Sequence, residues 1–128
     1  MFTVDGVSYN VLVAHGSLRR SFEIKEGPGS LLYMDGDEDP DIVGTYYNYE
    51  LEIDARNSVP EEYDALYEVL SAPVKSHIVS FPYGQSVLTF EARVTSGGDN
   101  FRSKLAGKQF WGGLSITFRA KKPQREPE

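Results

Sequence analysis

The 128-residue sequence contains no cysteine, only two histidines and one tryptophan, and no long uninterrupted run of apolar residues. Without cysteine the chain cannot form a disulfide scaffold, a thiolate zinc site or a cysteine nucleophile. Without about 18 consecutive apolar residues, no membrane-spanning helix is predicted. The segment Met1 to Gly16 lacks a basic region followed by an apolar stretch, so no signal peptide is predicted either. We therefore expect a protein that is cytosolic or that leaves the cell without a signal sequence.

The composition is that of one folded domain. Hydrophobic residues make up 40% of the chain and aromatic residues 12%, enough to fill a core in a protein of this length. Residues 1–120 are expected to form this domain. Residues 121–128 contain two prolines and no large apolar side chain, so we predict a mobile C-terminal tail there.

The charge is divided unevenly along the chain. Residues 1–100 contain 6 basic and 17 acidic side chains, a balance of −11, whereas residues 101–128 contain 7 basic and 2 acidic, a balance of +5. The net charge of −6 argues against sequence-specific binding to nucleic acid, because DNA affinity depends on the neutralisation of phosphates. The division favours complementary contacts in which the basic C-terminal strand and tail face an acidic surface of a neighbouring subunit. The interface candidates are Asp35, Asp37, Glu38, Asp39, Asp41, Arg119, Lys121 and Lys122.

Period-two alternation predicts a mainly β, α+β fold. In the third strand, Phe22 and Ile24 belong to the apolar face, and an Asp5-Gly6 pair predicts a tight primed turn between the first two strands. Each strand has one polar face, so we expect antiparallel pairing in a β-sandwich or open barrel with one flanking helix. A long loop is predicted at residues 27–41 and a short one at residues 96–100. The alternation marks about seven strands, at residues 2–4, 7–13, 18–25, 47–54, 74–82, 88–95 and 114–120.

The period changes to that of a helix after residue 58. One amphipathic helix is predicted over residues 59–71. Ser58 and Glu61 match a capping box at its start, and Ala72-Pro73 ends it. The apolar residues at helical spacing are Val59, Tyr63, Leu66, Tyr67 and Leu70.

The residues provide no complete catalytic set. His15 and His77 are the only histidines, and no Gly-x-Ser-x-Gly turn accompanies either of them. His77 shares a strand face with apolar residues, so we expect it to be partly buried and structural. No phosphate-binding Gly-x-x-x-x-Gly-Lys motif occurs, and Gly112-Gly113 predicts a β-bulge or a close backbone approach. We predict that the protein is not an enzyme and uses no cofactor.

The acidic run from Asp35 to Asp41 is the nearest approach to a metal site. Asp35, Asp37, Asp39 and Asp41 could supply hard oxygen ligands to calcium. An EF-hand loop begun at Asp35 or at Asp37, however, lacks both the required glycine and the final glutamate. The prediction is a solvated acidic loop without a metal.

Aromatic side chains leave a second functional class open. Tyr46, Tyr47 and Tyr49 could stack against sugars or bases. The strand alternation predicts that Tyr47 and Tyr49 are buried and that Tyr46 alone is exposed. A small monomeric module that binds a ligand such as carbohydrate through exposed aromatics, with Tyr46 and Trp111 as reporters, is the alternative to a self-associating subunit.

A family resemblance is carried by the segments Ile42–Tyr49, Tyr63–Glu68, Ser71–Val74, Phe81–Gln85 and Trp111–Ser115. These segments resemble small proteins encoded among the tail genes of bacteriophages and prophages of Gram-positive hosts. The similarity extends over about residues 9–123. The order of elements is also similar to the β-sandwich-plus-helix of tail-tube, distal-tail and tail-terminator subunits, and Phe118, Ala120 and Pro123 stand where those families have a closing Phe-x-Ala-x-x-Pro pattern.

The resemblance implies a structural subunit of a virion tail, without catalytic residues, that is assembled in the cytoplasm of the bacterial host. It implies a distal-tail, tail-tube or baseplate-ring component that forms a ring, expected to be hexameric, and contacts neighbouring tail proteins. Residues 27–41 would form the loop between subunits. Distal-tail proteins usually carry a second, host-directed domain for which this chain has no room, so no receptor-binding role is implied.

Overall fold

A computed structural model describes residues 1–26, 31–32, 38–39, 42–54 and 56–126 of the protein. Within these ranges the chain forms eleven β-strands and one α-helix. In chain order they are β1 (Thr3–Val4), β2 (Val7–Ser8), β3 (Leu12–Val13), β4 (Arg19–Glu26), β5 (Leu31–Leu32), β6 (Glu38–Asp39), β7 (Ile42–Asp54), α1 (Pro60–Leu70), β8 (His77–Tyr83), β9 (Ser86–Arg93), β10 (Gly97–Leu105) and β11 (Lys108–Ala120).

Nine of these strands form one curled antiparallel sheet. Seven lie side by side in the order β2-β1-β8-β9-β11-β7-β3, while β10 pairs with β11 and β4 pairs with β7. The sheet is an open half-barrel with one helix, so the predicted mainly β fold of about seven antiparallel strands is confirmed. β5 and β6 form a separate two-stranded ladder within the segment that the sequence predicts as a loop.

The two long strands β7 and β11 organise the sheet. They pair with each other from Leu114 opposite Ile53 to Phe118 opposite Tyr49. β10 and β9 pair with successive parts of the other edge of β11, and β4 and β3 do the same along the outer edge of β7. The sequence predicts only the second halves of β7 and β11 and makes the start of β10 a loop. It misses β10 because this strand is exposed along almost its whole length and so has no alternating pattern.

Local backbone geometry bears out two of the glycine-based predictions. The primed turn between β1 and β2 is confirmed by positive φ angles of 52° at Asp5 and 80° at Gly6. Gly113, with a φ of 71°, belongs to a bulge in which Gly113 and Leu114 stand opposite the single residue Asp99 of β10. The β-bulge predicted at Gly112-Gly113 is therefore confirmed.

Helix α1 packs on the core side of β11 and lies within one residue of its predicted bounds at each end. Tyr63, Leu66 and Leu70 are buried at the predicted spacing. Tyr67, predicted on the same face, is 39% exposed. In the part of the chain that the structure describes, no helix has the length and apolar character needed to cross a membrane.

The predicted capping box at Ser58 and Glu61 is wrong. Val59 occupies the N-cap position, and no side chain makes a capping hydrogen bond there. The Ser58 hydroxyl instead accepts a hydrogen bond from the Leu12 amide at 2.7 Å. The Glu61 carboxylate pairs with the Lys108 ammonium at 3.0 Å. Ser58 and Glu61 therefore bind other segments of the fold and do not form the helix cap that the local sequence pattern predicts.

Aromatic rings fill the centre of the half-barrel around Phe81. Its ring stacks on Tyr49 at a centroid distance of 4.5 Å and meets Phe118 edge-on at 5.0 Å. Phe2 and Phe90 pack on it at 5.7 and 6.4 Å. Complete burial of one such side chain stabilises a fold by roughly 1.5–3 kcal/mol. Because the rings come from β7, β8, β9, β11 and the residue before β1, one cluster joins five segments of the chain.

Gln124 and Arg125 dock on β7, whereas the sequence predicts a mobile tail from residue 121. The Thr45 amide donates to the Arg125 carbonyl at 3.0 Å, and the Gln124 amide donates to the Thr45 carbonyl at 2.9 Å. The Tyr47 amide also donates to the Gln124 side-chain oxygen at 2.8 Å. The segment thus continues the pairing of β7 beyond the point where β11 leaves it.

Gly44 makes this docking possible. A Cβ atom at this position would lie 2.5 Å from the Arg125 carbonyl oxygen and 2.6 Å from the Pro123 Cβ. The Gly44 φ of 152° is also a conformation that residues with a side chain rarely adopt. The apolar pattern cannot reveal this contact, because it depends on a residue without a side chain meeting a segment about 80 positions away.

We expect Gly44→Ala to release residues 123–125 from β7 and to lower the free energy of unfolding by about 1–3 kcal/mol, since backbone strain and a steric clash coincide there. The measurement is hydrogen exchange at the Thr45 and Tyr47 amides, which should lose protection. Gly98→Ala is the matched control, because a Cβ at Gly98 meets no atom within 4 Å. Unchanged protection of the Thr45 amide in Gly44→Ala would contradict the role of Gly44 in docking residues 123–125 on β7.

Candidate functional site

The acidic interface candidates fall largely outside the described residues. Asp35, Asp37 and Asp41 are not among them, while Glu38 and Asp39 form β6 and pair with β5. Among the residues that the structure does place, no three His, Asp or Glu side chains are grouped as a metal site requires. The acidic loop therefore stays a prediction.

Two of the basic interface candidates, Arg119 and Lys121, lie on the outer face of the sheet, and Lys122 follows them in the chain. Arg119 stands directly opposite Arg93 across the β9–β11 ladder, and both residues are exposed. Lys121 pairs with Glu91 at 3.4 Å. Arg93, Arg119 and Lys122 have no ion-pair partner among the described residues. We call Arg93, Arg119, Lys121 and Lys122 the basic patch.

His77 is buried, with 4% of its surface exposed, and pairs with the turn between β1 and β2. Its Nδ1 lies 2.8 Å from Asp5 Oδ2, and Asp5 Oδ1 accepts from the Ile78 amide at 2.9 Å. The hydrogen bond from His77 lowers the pKa of the Asp5 carboxyl below its ordinary value. In the described ranges no serine or threonine hydroxyl forms a hydrogen bond with the imidazole. The geometry is that of a clamp that holds the turn on β8.

Large apolar side chains are uncovered where β4 and β7 extend beyond the core. Phe22 is 69% exposed, Ile24 54%, Ile42 41% and Val43 40%. The sequence places Phe22 and Ile24 on the apolar, half-buried face of a strand. That burial is wrong, because no second layer of the described chain covers this end of the hairpin. We call Phe22, Ile24, Ile42 and Val43 the hairpin apolar cluster.

The hairpin apolar cluster continues the inner face of the sheet. Phe22 lies opposite Tyr47, and Ile24 shares its face two residues further along β4. The Tyr47 ring meets the Tyr83 ring edge-on at 5.3 Å, and the Arg20 guanidinium lies 5.3 Å from the Tyr83 ring centre. These contacts mark the end of the core, and beyond them no described residue covers the inner face.

A groove lies between α1 and the β10–β11 hairpin. It is a cavity of about 340 Å³ lined by Asp64, Tyr67, Glu68, Asp99 and Trp111, and we call it the acidic groove. The Tyr67 and Trp111 side chains are 39% and 38% exposed, so a ligand can reach their rings. Asp64 and Glu68 are four positions apart on the helix, where like charges repel each other.

Contacts behind the acidic groove fix two of its side chains. The Tyr63 hydroxyl donates to Asp99 Oδ2 at 3.0 Å, and burial together with this carboxylate raises the pKa of Tyr63 above its ordinary value. Phe101 meets the Trp111 ring edge-on at 5.4 Å. Carboxylates beside accessible aromatic rings suit a cation, which interacts with both. They also suit a sugar, which stacks on the rings and donates hydrogen bonds to the carboxylates.

The tyrosines of β7 offer less ligand surface than the sequence indicates. Tyr49 is buried as predicted, and its hydroxyl donates to the Pro82 carbonyl at 2.9 Å. Tyr47 and Tyr46 are both half-buried, and the Lys25 ammonium lies 4.4 Å from the centre of the Tyr46 ring. The prediction that Tyr46 alone is exposed is wrong, because partners outside β7 cover each ring in part.

The acidic groove is a site that sequence reasoning misses. Asp64 and Glu68 occupy positions typical of solvent-exposed helix residues, and Asp99 lies in a segment with the composition of an ordinary loop. The one local signal is that the two helical acids flank Tyr67, which shares the spacing of the buried residues. This signal indicates a binding site only once the folded β10–β11 hairpin is known to place Trp111 beside the helix.

No protein-family model and no curated protein matches the chain. The surfaces described above are therefore interpreted from their own geometry and chemistry.

We expect Asp5→Asn to remove a pH-dependent part of the stability. Asparagine tolerates the φ of 52° at this position but offers His77 no charge. Because the folded-state pKa of Asp5 is lowered, its ionised carboxylate stabilises the fold above about pH 4, and this contribution is lost as the pH falls through the folded-state pKa. The loss at pH 7 should be below about 1 kcal/mol, because the Asp5 side chain is 48% exposed and solvent screens it.

Urea unfolding of the wild type and Asp5→Asn at pH 7, 4 and 2 measures this effect. The difference between the two proteins should be greatest at pH 7 and smallest at pH 2. Asp64→Asn, which leaves the clamp intact, is the control. A difference that stays constant over the three pH values would argue against the clamp.

Proposed function

We propose that the protein is a structural subunit that associates with copies of itself, of the kind that builds the rings of bacteriophage and prophage tails. The hairpin apolar cluster is the observation that carries this proposal. Four large apolar side chains on one projecting hairpin are an unfavourable surface for an isolated domain in water. A second copy packed on them would remove that surface from solvent.

The backbone of β4 supports the same assignment. In the described chain β4 pairs with β7 alone, so its outer edge offers a row of unpaired amide and carbonyl groups. An edge strand with an open apolar face can accept a strand or a flat face of another subunit. The combination provides backbone hydrogen bonds and apolar burial in one contact.

The assignment to a phage tail rests on the resemblance of the sequence segments to tail proteins, and the fold is compatible with it. The resemblance leads one to expect a β-sandwich with one helix, and the observed half-barrel of antiparallel strands with one flanking helix shares its mainly β character. The proposed role involves no catalysis and no cofactor. The proposed partners are other copies of the chain in a ring and neighbouring tail proteins, and the proposed location is the virion tail.

We expect Phe22→Ser with Ile24→Ser to weaken self-association strongly while leaving the domain folded, because both side chains are largely exposed in the single subunit. Burial of each apolar side chain contributes roughly 1.5–3 kcal/mol, so the dissociation constant should rise by on the order of a hundredfold. Sedimentation equilibrium over a wide range of concentrations measures the change.

Val87→Ser is the matched control for this experiment. Val87 is about as exposed as Phe22, at 68%, but lies in β9, which pairs with neither strand of the hairpin. It should leave the association of the wild type unchanged. A wild type that stays monomeric at every concentration would contradict the proposed function, and so would equal association of the wild type and the double variant.

A second candidate function, a monomeric module that binds carbohydrate, is favoured by the acidic groove. Trp111 and Tyr67 provide two accessible rings, and three carboxylates can accept hydrogen bonds from hydroxyl groups. Trp111 is the one tryptophan of the chain, so its fluorescence reports on the groove directly.

If the groove binds sugar, titration with neutral hexasaccharides of glucose and of N-acetylglucosamine should shift the Trp111 emission, and Tyr67→Ala should weaken binding about tenfold or more through the loss of one stacking contact. Val87→Ser should bind as the wild type does. A flat fluorescence response to both hexasaccharides would count against this second function.

A further inference from the structure

We propose that the acidic groove of one copy receives Arg93 and Arg119 of the basic patch of the next copy. This contact would be directional, since it joins two different surfaces of the same protein. The inference rests on the proposed self-association, and it adds a specific second interface to that proposal.

The described residues form no ion pair with the carboxylates of the acidic groove. Asp64 and Glu68 have no ion-pair partner in the described ranges, and Asp99 accepts a hydrogen bond only from the neutral Tyr63 hydroxyl. The nearby ammonium of Lys108 is paired with Glu61. Three carboxylates around a cavity of about 340 Å³ therefore face solvent beside two aromatic rings.

The basic patch carries the opposite charge, and its residues Arg93, Arg119 and Lys122 have no ion-pair partner among the described residues. Arg93 and Arg119 are cross-strand neighbours in direct register, and like charges in that position destabilise a sheet. Glu91, the acid on this face, is paired with Lys121. A carboxylate-rich partner surface would turn this local repulsion into a favourable contact.

The chemistry of the two surfaces is complementary in detail as well as in sign. A guanidinium group binds carboxylates through paired hydrogen bonds and stacks on the faces of Trp and Tyr rings. The acidic groove offers both kinds of contact, from Asp64 and Glu68 on one wall and from Trp111 and Tyr67 beside them. Arginine is long enough to extend from the flat face of a sheet into such a groove.

The acidic groove and the basic patch of one copy cannot contact each other. α1 covers the core side of β11, whereas Arg119 follows the buried Phe118 and so points to the opposite side of the strand. The acidic groove and the basic patch are therefore separated by the sheet. A contact between different surfaces of successive copies repeats head to tail, and it closes into a ring when the rotation between copies allows.

A charge-swap experiment tests the contact. The first variant, Asp64→Lys with Glu68→Lys, reverses the groove, and the second, Arg93→Glu with Arg119→Glu, reverses the patch. Each variant alone brings like charges together, so its apparent dissociation constant should rise on the order of tenfold or more relative to the wild type. An equimolar mixture should associate again, because each surface of one variant then meets its complement on the other.

The mixture controls for general electrostatic attraction. Each pair of substitutions shifts the wild-type charge of −6 by four, so the variants carry −2 and −10 and repel each other at long range. Sedimentation velocity at 20 mM and 500 mM NaCl measures the association, and the restored complex should weaken at high salt. Circular dichroism confirms that each variant is folded before mixing.

The outcomes separate this inference from the function it rests on. If both charge variants associate as the wild type does, while Phe22→Ser with Ile24→Ser does not, the groove–patch contact is wrong and self-association through the hairpin stands. A groove that binds only sugar also predicts unchanged association of the charge variants, and so overturns the contact. If no protein associates, the proposed function itself fails. Loss in each charge variant with recovery in the mixture supports the contact.

Discussion

The structure depends on the packing of four aromatic rings around a fifth, that of Phe81. This cluster takes one ring from each of the main segments of the half-barrel and fixes how β7 and β11 cross the core. A 13-residue strand extends over roughly 43 Å, which is far longer than a cluster of this size can cover. The ends of β7 and β11 therefore project from the core. The inner face of the sheet stays open where β7 projects, and β11 projects as one strand of the β10–β11 hairpin.

The projecting ends place the two surfaces that carry the functional interpretation. At one end, the hairpin of β4 and β7 presents apolar side chains that no part of the described chain covers. At the other, the β10–β11 hairpin lies along α1 and forms the acidic groove with it. A barrel closed on itself would bury the first surface, so the open form of the sheet is what leaves that surface available for association.

The division of charge along the chain acquires a spatial meaning in the folded protein. The excess of acidic residues before residue 100 includes the three carboxylates of the acidic groove, and the basic excess after residue 100 supplies most of the basic patch. Folding puts these charges on opposite sides of the sheet, where neither can neutralise the other. Contacts inside the chain also remove some candidates from consideration: Lys121 is paired with Glu91, and the segment after Ala120 is held on β7 through Gly44.

The sequence by itself determined the features that arise within a few residues: the strands with one solvent-exposed polar face, the helix after residue 58, the turn at Asp5-Gly6 and the bulge at Gly113. Their signals are periodicity and backbone preference, which are local. Only the tertiary structure decided that Phe22 and Ile24 stay uncovered, that Ser58 and Glu61 bind other segments rather than cap α1, and that Trp111 lies beside Asp64 and Glu68. Each of these features depends on which distant segment of the chain covers a residue. A pattern of apolar and polar positions shows which face of an element is apolar, but it does not show whether another part of the chain covers that face.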